Sequence, residues 1–171
     1  MRDPVDWEAL ARALGAVTPR GELGGSNLAR DALSAILGPE ELQRAVDWYV
    51  AGDVGGELAR SVLWLLHPRE AMDRCRAIWA SASSPPDDRR RAIELLRVVG
   101  DASILPWVPA LLDDDDEVVR DLAIQIVDQL VFSSLADAED VADVLQRAEA
   151  HADPTVRERA GAIREQLARR G

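Results

Sequence analysis

Lysine is missing from this chain, and cysteine, histidine and aromatic residues are scarce. All 20 basic residues are arginine, a bias that reads as GC-rich coding rather than as the mark of a site. Cys75 is the single cysteine, which excludes an intrachain disulfide and a cysteine-based zinc cluster. Aromatic residues make up 4%, strand formers are sparse, and the dominant Ala, Leu, Arg and Glu favour helices. No stretch approaches the roughly 20 apolar residues that a membrane span requires. The first residues, Met1-Arg2-Asp3-Pro4-Val5-Asp6, offer neither a basic region followed by an apolar stretch nor a small-residue cleavage site. A soluble, cytoplasmic protein without a membrane partner is the expectation.

Acid is what the chain has in excess. The net charge is −11, unevenly spread: residues 1–85 hold 12 acids against 9 arginines, and residues 86–171 hold 19 against 11. Such a surface repels a phosphate backbone, so nucleic acid is not the expected partner. A basic protein would be attracted to it. Hydrophobic residues make up 47% of the 171, enough for one folded domain.

Helix punctuation is plain. Asp3-Pro4 and Asp153-Pro154 each pair an N-cap carboxylate with proline at the first helical position, where the missing N–H is harmless. Gly38-Pro39 and His67-Pro68 open helices by the same logic, and Gly15, Gly52 and Gly100 sit where helices stop. These marks predict about ten helices, over 6–14, 27–37, 39–50, 56–66, 68–80, 87–99, 102–112, 116–131, 138–150 and 154–169. Two irregular links, Gly15–Ser26 and Ser81–Pro86, join helix pairs within one domain.

The last helices repeat. Val119-Arg120-Asp121-Leu122-Ala123 returns as Val156-Arg157-Glu158-Arg159-Ala160, an offset of 37. The apolar spacing that follows also matches, Val119, Ala123, Val127 and Leu130 against Val156, Ala160, Ile163 and Leu167. A weaker copy lies upstream, where Arg89, Ala92, Leu96 and Val99 fall 31 residues before Arg120, Ala123, Val127 and Leu130. Two helices per unit at this period mean an α-solenoid, each pair burying its apolar stripe against the next.

The stretch from Gly100-Asp101 through Leu105-Pro106 and Leu111-Leu112-Asp113-Asp114-Asp115-Asp116-Glu117-Val118-Val119-Arg120 to Ala123 resembles the HEAT repeat. The likeness is to the short bacterial and phycobilisome-lyase type, clearest over 87–169. It implies an all-α αα-superhelix of roughly five antiparallel pairs, with residues 1–85 as divergent repeats and 86–171 as clearer ones. It also implies that Arg120 and Arg157 are ladder residues, reaching an acid of a neighbouring repeat. Ala123 and Ala160 should occupy equivalent buried positions, where a small side chain lets helices approach.

No catalytic constellation emerges. Asp113–Glu117 fails as a calcium loop, lacking a sixth-position Gly and placing Ile124 where a bidentate Glu belongs. It suits an inter-helix turn whose carboxylates cap free N–H groups and offset the helix dipole. His67 and His151, the two histidines, have no His-x-Glu or Glu-x-x-His companion, so no metal site is expected. His151 reads as a simple helix cap, and Cys75 as a half-buried helical residue without a nucleophile motif around it. The glycines of Gly21–Gly25 match neither a P-loop nor a dinucleotide fingerprint, so no cofactor is expected. Of Trp7, Trp48, Trp64, Trp79 and Trp107, at least three should fill gaps between helices. Trp48-Tyr49 and Trp107 are the candidates for partial exposure as partner anchors.

These absences point to a non-catalytic protein-interaction module. From the helical phase its concave inner-helix face should carry Arg90, Glu94, Arg97, Asp121, Gln125, Asp128, Glu158 and Glu165. A narrower alternative is an immunity protein neutralising a basic secreted bacterial toxin, since charge complementarity speeds capture. An enzyme of the HEAT-like lyase or DNA-glycosylase type fits less well, because no catalytic residue carries over and the acidic C-terminal half opposes DNA.

Overall fold

Carboxylates and prolines open most of the helices, as the punctuation suggests. In the computed structural model, which describes residues 5–170, Asp6 accepts from the Ala9 N–H to start α1 (Trp7–Ala13). The Asp3-Pro4 pair lies outside the described residues. There follow α2 (Ser26–Leu37), α3 (Pro39–Ala51), α4 (Gly56–Leu66), α5 (Arg69–Ala80) and α6 (Pro86–Val99). A 3-10 helix (Ala102–Trp107) runs into α7 (Val108–Leu112), then come α8 (Glu117–Phe132), α9 (Ala142–Glu149) and α10 (Pro154–Ala168). Gly52 closes α3 with φ of 75°, a left-handed turn that suits glycine.

Packing follows the repeat. The chain folds into antiparallel pairs α3/α4, α5/α6, α7/α8 and α9/α10, and α2 packs on α3 and α4. The second helices, α4, α6, α8 and α10, lie side by side as one layer, backed by the first helices of each pair. Ala92, Ala123 and Ala160 are all fully buried, the positions that the internal repeat makes equivalent. Each is flanked in its helix by buried branched residues: Ile93 and Leu96 in α6, Val119 and Val127 in α8, Val156 and Ile163 in α10. Alanine there brings one backbone close to the next helix while its larger neighbours fill the sides.

Four details depart from the sequence reading. Part of the Gly15–Ser26 link is a small hairpin, with Val17–Thr18 paired antiparallel to Gly21–Glu22. The helix expected over 102–112 is broken into a 3-10 turn and α7, because Pro106 and Pro109 cannot donate to an α-helical ladder. The helix expected over 138–150 begins only at Ala142: Asp137 accepts from the Glu139 and Asp140 N–H groups, and Asp140 accepts from the Asp137 N–H. Those side chains satisfy the backbone in a turn instead. Gly100 ends α6 in extended rather than left-handed backbone. Its smallness is still required, since a Cβ there would stand 2.3 Å from Ile104 Cδ1 and 2.7 Å from the Leu96 carbonyl.

The core starts late. No side chain from residue 5 to 37 is fully buried, and Leu42 in α3 is the first that is. Trp7, Leu23 and Leu33 stay exposed. The fully buried alanines yield a prediction. Ala123→Leu overpacks the α8 seam and should cost about 1–3 kcal/mol, lowering Tm by roughly 2–4 °C per kcal/mol for a chain of this size. Ala162→Leu, at an exposed position of α10, should change Tm little; equal effects would contradict the assigned seam.

Candidate functional site

The edge of the layer of second helices is held by arginines that reach forward to the carboxylates of the next turn. Asp114 Oδ2 accepts from Trp79 Nε1 at 2.7 Å and from Arg89 Nη2 at 3.1 Å, while Oδ1 accepts from the Asp116 N–H at 2.9 Å. Asp116 divides its oxygens: Oδ1 caps α8 through the Val118 N–H, and Oδ2 accepts from Arg90 Nε at 2.7 Å. Asp153 does the same one repeat later, capping α10 through the Thr155 N–H and accepting from Arg120 Nη2 at 3.1 Å. Arg120 also donates to the carbonyls of Asp114 and Asp115. Its expected ladder role is thus observed. Arg157 makes only the equivalent carbonyl contacts, to His151 and Ala152, and pairs with no carboxylate among the described residues.

These contacts set the charges. Burial alone would raise the Asp116 carboxyl, but Arg90 and the Val118 N–H outweigh it and hold its pKa below the ordinary value. The Thr155 N–H, then Arg120, lower that of Asp153. Arg147 lowers that of Asp113, with which it is paired. The acidic run is therefore a turn whose members cap and bridge, as its sequence suggested.

The histidines act as links between helices. His67 Nδ1 lies 2.9 Å from the Val99 carbonyl at the end of α6, and since a carbonyl only accepts, Nδ1 carries the proton. His151 Nε2 likewise donates to the Leu112 carbonyl at 3.0 Å, while Nδ1 accepts from the Asp153 N–H. His151 thus caps α7, a different helix from the α9 end beside it. Cys75 is fully rather than half buried, and burial pushes its thiol pKa far above the ordinary value, so it is held as an unreactive thiol.

The residues assigned to the partner face divide into two groups. Arg90, expected to face a partner, is engaged with Asp116 and Asp87 and belongs to the ladder. Asp121 is also engaged: Oδ1 sits 2.8 Å from Arg159 Nε as an ion pair, and Oδ2 accepts from Gln125 Nε2 at 2.8 Å. Glu165 faces Arg169 at 3.5 Å, both well exposed. Glu94, Asp128 and Glu158 are exposed on α6, α8 and α10 and make no ion pair among the described residues. Arg97 is half-buried, its Nε without an acceptor.

Tryptophan placement corrects the expectation more sharply. Two rather than three or more join the core, Trp79 at its margin and Trp107 at 8% exposure. Trp107, a proposed anchor, lies beneath Arg69 and Arg76, whose guanidinium carbons stand 5.0 and 4.8 Å from its ring centre. Trp48 is half exposed, with Nε1 donating to the Val54 carbonyl. Trp64, not singled out, is 56% exposed. The signal was available: Leu63 and Leu66 are the buried positions of α4, and the residue after Leu63 is rotated about 100° from it.

Two outcomes follow. Asp114→Ala strands three donors, two from side chains, and should cost about 2–3 kcal/mol, read as a lower urea midpoint. Because Asp113, Asp116 and Asp153 have folded pKa values below their unfolded ones, their stabilisation is present above about pH 4. It is lost as pH falls through the folded values. Tm should therefore drop from pH 6 to pH 3, and Asp153→Asn should flatten that slope; an unchanged slope would remove Asp153 from the ladder.

A family model of HEAT repeats matches residues 76–164, just over half of the chain. Comparison with curated proteins and with solved structures finds no match. The matched span runs from the end of α5 into α10 and contains the Ala92, Ala123 and Ala160 seam together with the Arg–Asp ladder. HEAT repeats are generally protein-interaction modules. By sequence and by the stacking of its helix pairs, the chain belongs to the HEAT-repeat family.

Proposed function

We propose that the chain is a non-catalytic module that binds a basic protein on the inner layer of α6, α8 and α10. One observation carries this reading: Glu94, Asp128 and Glu158 stand exposed and unpaired on three adjacent helices of that layer. The acids of the ladder are engaged by arginines; these three are not. Stacked repeats offer an extended surface of this kind, and the excess of acid over arginine in residues 86–171 would steer a basic partner toward it. In this reading residues 1–171 form one solenoid domain, with 1–85 as its divergent repeats.

Gln125 and Asp121 on α8 and Glu165 on α10 would complete the polar face in this reading. Asp121 is a poor target for charge reversal, because its loss would strand Arg159. The test therefore uses Asp128→Arg with Glu158→Arg against the partner captured from the source cell. Association should slow at least tenfold at low salt, with unchanged helical content and a weaker salt dependence. An unchanged association rate would place the partner elsewhere.

A further inference from the structure

Nearly every arginine has a partner. Among the described residues, only Arg20, Arg30 and Arg97 make no side-chain hydrogen bond, ion pair or ring contact. Arg20 lies between the two strands of the hairpin. Arg30 and Arg97 line the same groove, where α4, α6 and α8 meet beneath α2. One hollow of about 310 Å³ is bounded by Arg60, Trp64, Arg97, Val98 and Gln129. A second, of about 370 Å³, shares Trp64, Val98 and Gln129 with it and adds Arg30.

We propose that this groove binds an acidic peptide segment, with Arg97 and Arg30 pairing with its carboxylates and Trp64 packing against the chain between them. The local charge favours it. Arg60 is held by Glu57 on its own helix. Asp101, the acid of the second hollow, is engaged in accepting from the Ser103 N–H at 2.8 Å. His67 turns its Nδ1 proton to the Val99 carbonyl. Nothing in the groove neutralises Arg97 or Arg30. Arg97 is half-buried and its Nε–H has no acceptor, so its charge is partly stripped of water. Such a cation attracts an anion more strongly than a solvated one.

The other walls suit a peptide. Trp64 is 56% exposed and lines both hollows, and an exposed indole is the kind of surface that anchors interfaces. Gln129 is oriented by donating Nε2 to Ser133 Oγ at 2.8 Å, which leaves its amide oxygen to accept a peptide N–H. A nucleic-acid strand, with a phosphate at every nucleotide, would meet two free guanidinium groups on a molecule of net charge −11. A short carboxylate-bearing segment needs no more than those two. This site differs from the acidic face in its residues and in the sign of its charge, and the inference does not rest on the basic-partner reading.

The test is the anisotropy of fluorescein-labelled hexaglutamate titrated with the full chain at low salt. One-to-one binding is expected, lost as salt rises and weakened at least tenfold by Arg97→Gln and by Arg30→Gln. Asp128→Asn with Glu158→Gln should not weaken it, which separates this result from the fate of the acidic face. Because Arg97 donates to nothing, Arg97→Gln should keep or raise Tm while losing the peptide. No binding by the wild-type chain, undiminished binding by the arginine variants, or tighter binding of a labelled hexathymidylate would each overturn the proposal.

Discussion

A carboxylate that caps one second helix and pairs with an arginine from the second helix of the preceding pair sets the spacing of that layer. Asp116 and Asp153 each use one oxygen for the start of their own helix and the other for Arg90 or Arg120. The cap fixes where the helix begins, and the ion pair fixes that beginning against its neighbour. The apolar seam is then in register, with Ala92, Ala123 and Ala160 fully buried along it. A slip of one residue would bring Ile93, Ile124 or Gly161 to the seam and break the ladder as well. The two devices support one register, the consistency that a well-specified fold requires.

That arrangement also sorts the charges of the molecule. Asp113, Asp114, Asp116 and Asp153 are neutralised by arginines, and so are most of the described arginines by acids. Among the acids without an ion pair, Glu94, Asp128 and Glu158 stand on α6, α8 and α10, and the guanidinium groups of Arg30 and Arg97 are left free in the groove nearer α2 and α4. The excess acid of the chain is therefore concentrated where the repeats are most regular, and the exception to it lies beside the divergent ones. Surfaces of opposite sign on one layer give a partner an orientation as well as an attraction.

Much of this was legible in the sequence because it is periodic. The recurrence of Val119, Ala123, Val127 and Leu130 in α10 is a statement about one helix face, and one face is what stacks. The Asp113–Glu117 run was legible as a turn, since carboxylates before a helix have a local use. What the sequence left open depends on neighbours distant in the chain. Arg89 and Arg90 are adjacent, and only the placement of Asp114 and Asp116 shows that both belong to the ladder. Trp107 is covered by Arg69 and Arg76 from α5, a contact that no local pattern announces. Arg97 was placed on the binding face by phase alone, but its missing acceptor appears only once α4 and α8 are beside it. The shortened start of α9 turned on two side chains, Asp137 and Asp140, satisfying the backbone N–H groups of 137, 139 and 140.

The central claim is that the layer of second helices, and not the backing layer, meets the partner. Hydrogen–deuterium exchange of the chain with and without its captured partner tests this most directly, since binding slows exchange where the backbone is covered or stiffened. The account predicts slowed exchange in peptides spanning α6, α8 and α10, with α5 and α9 unchanged. Protection confined to α5 and α9, with α6, α8 and α10 exchanging as in the free chain, would contradict it.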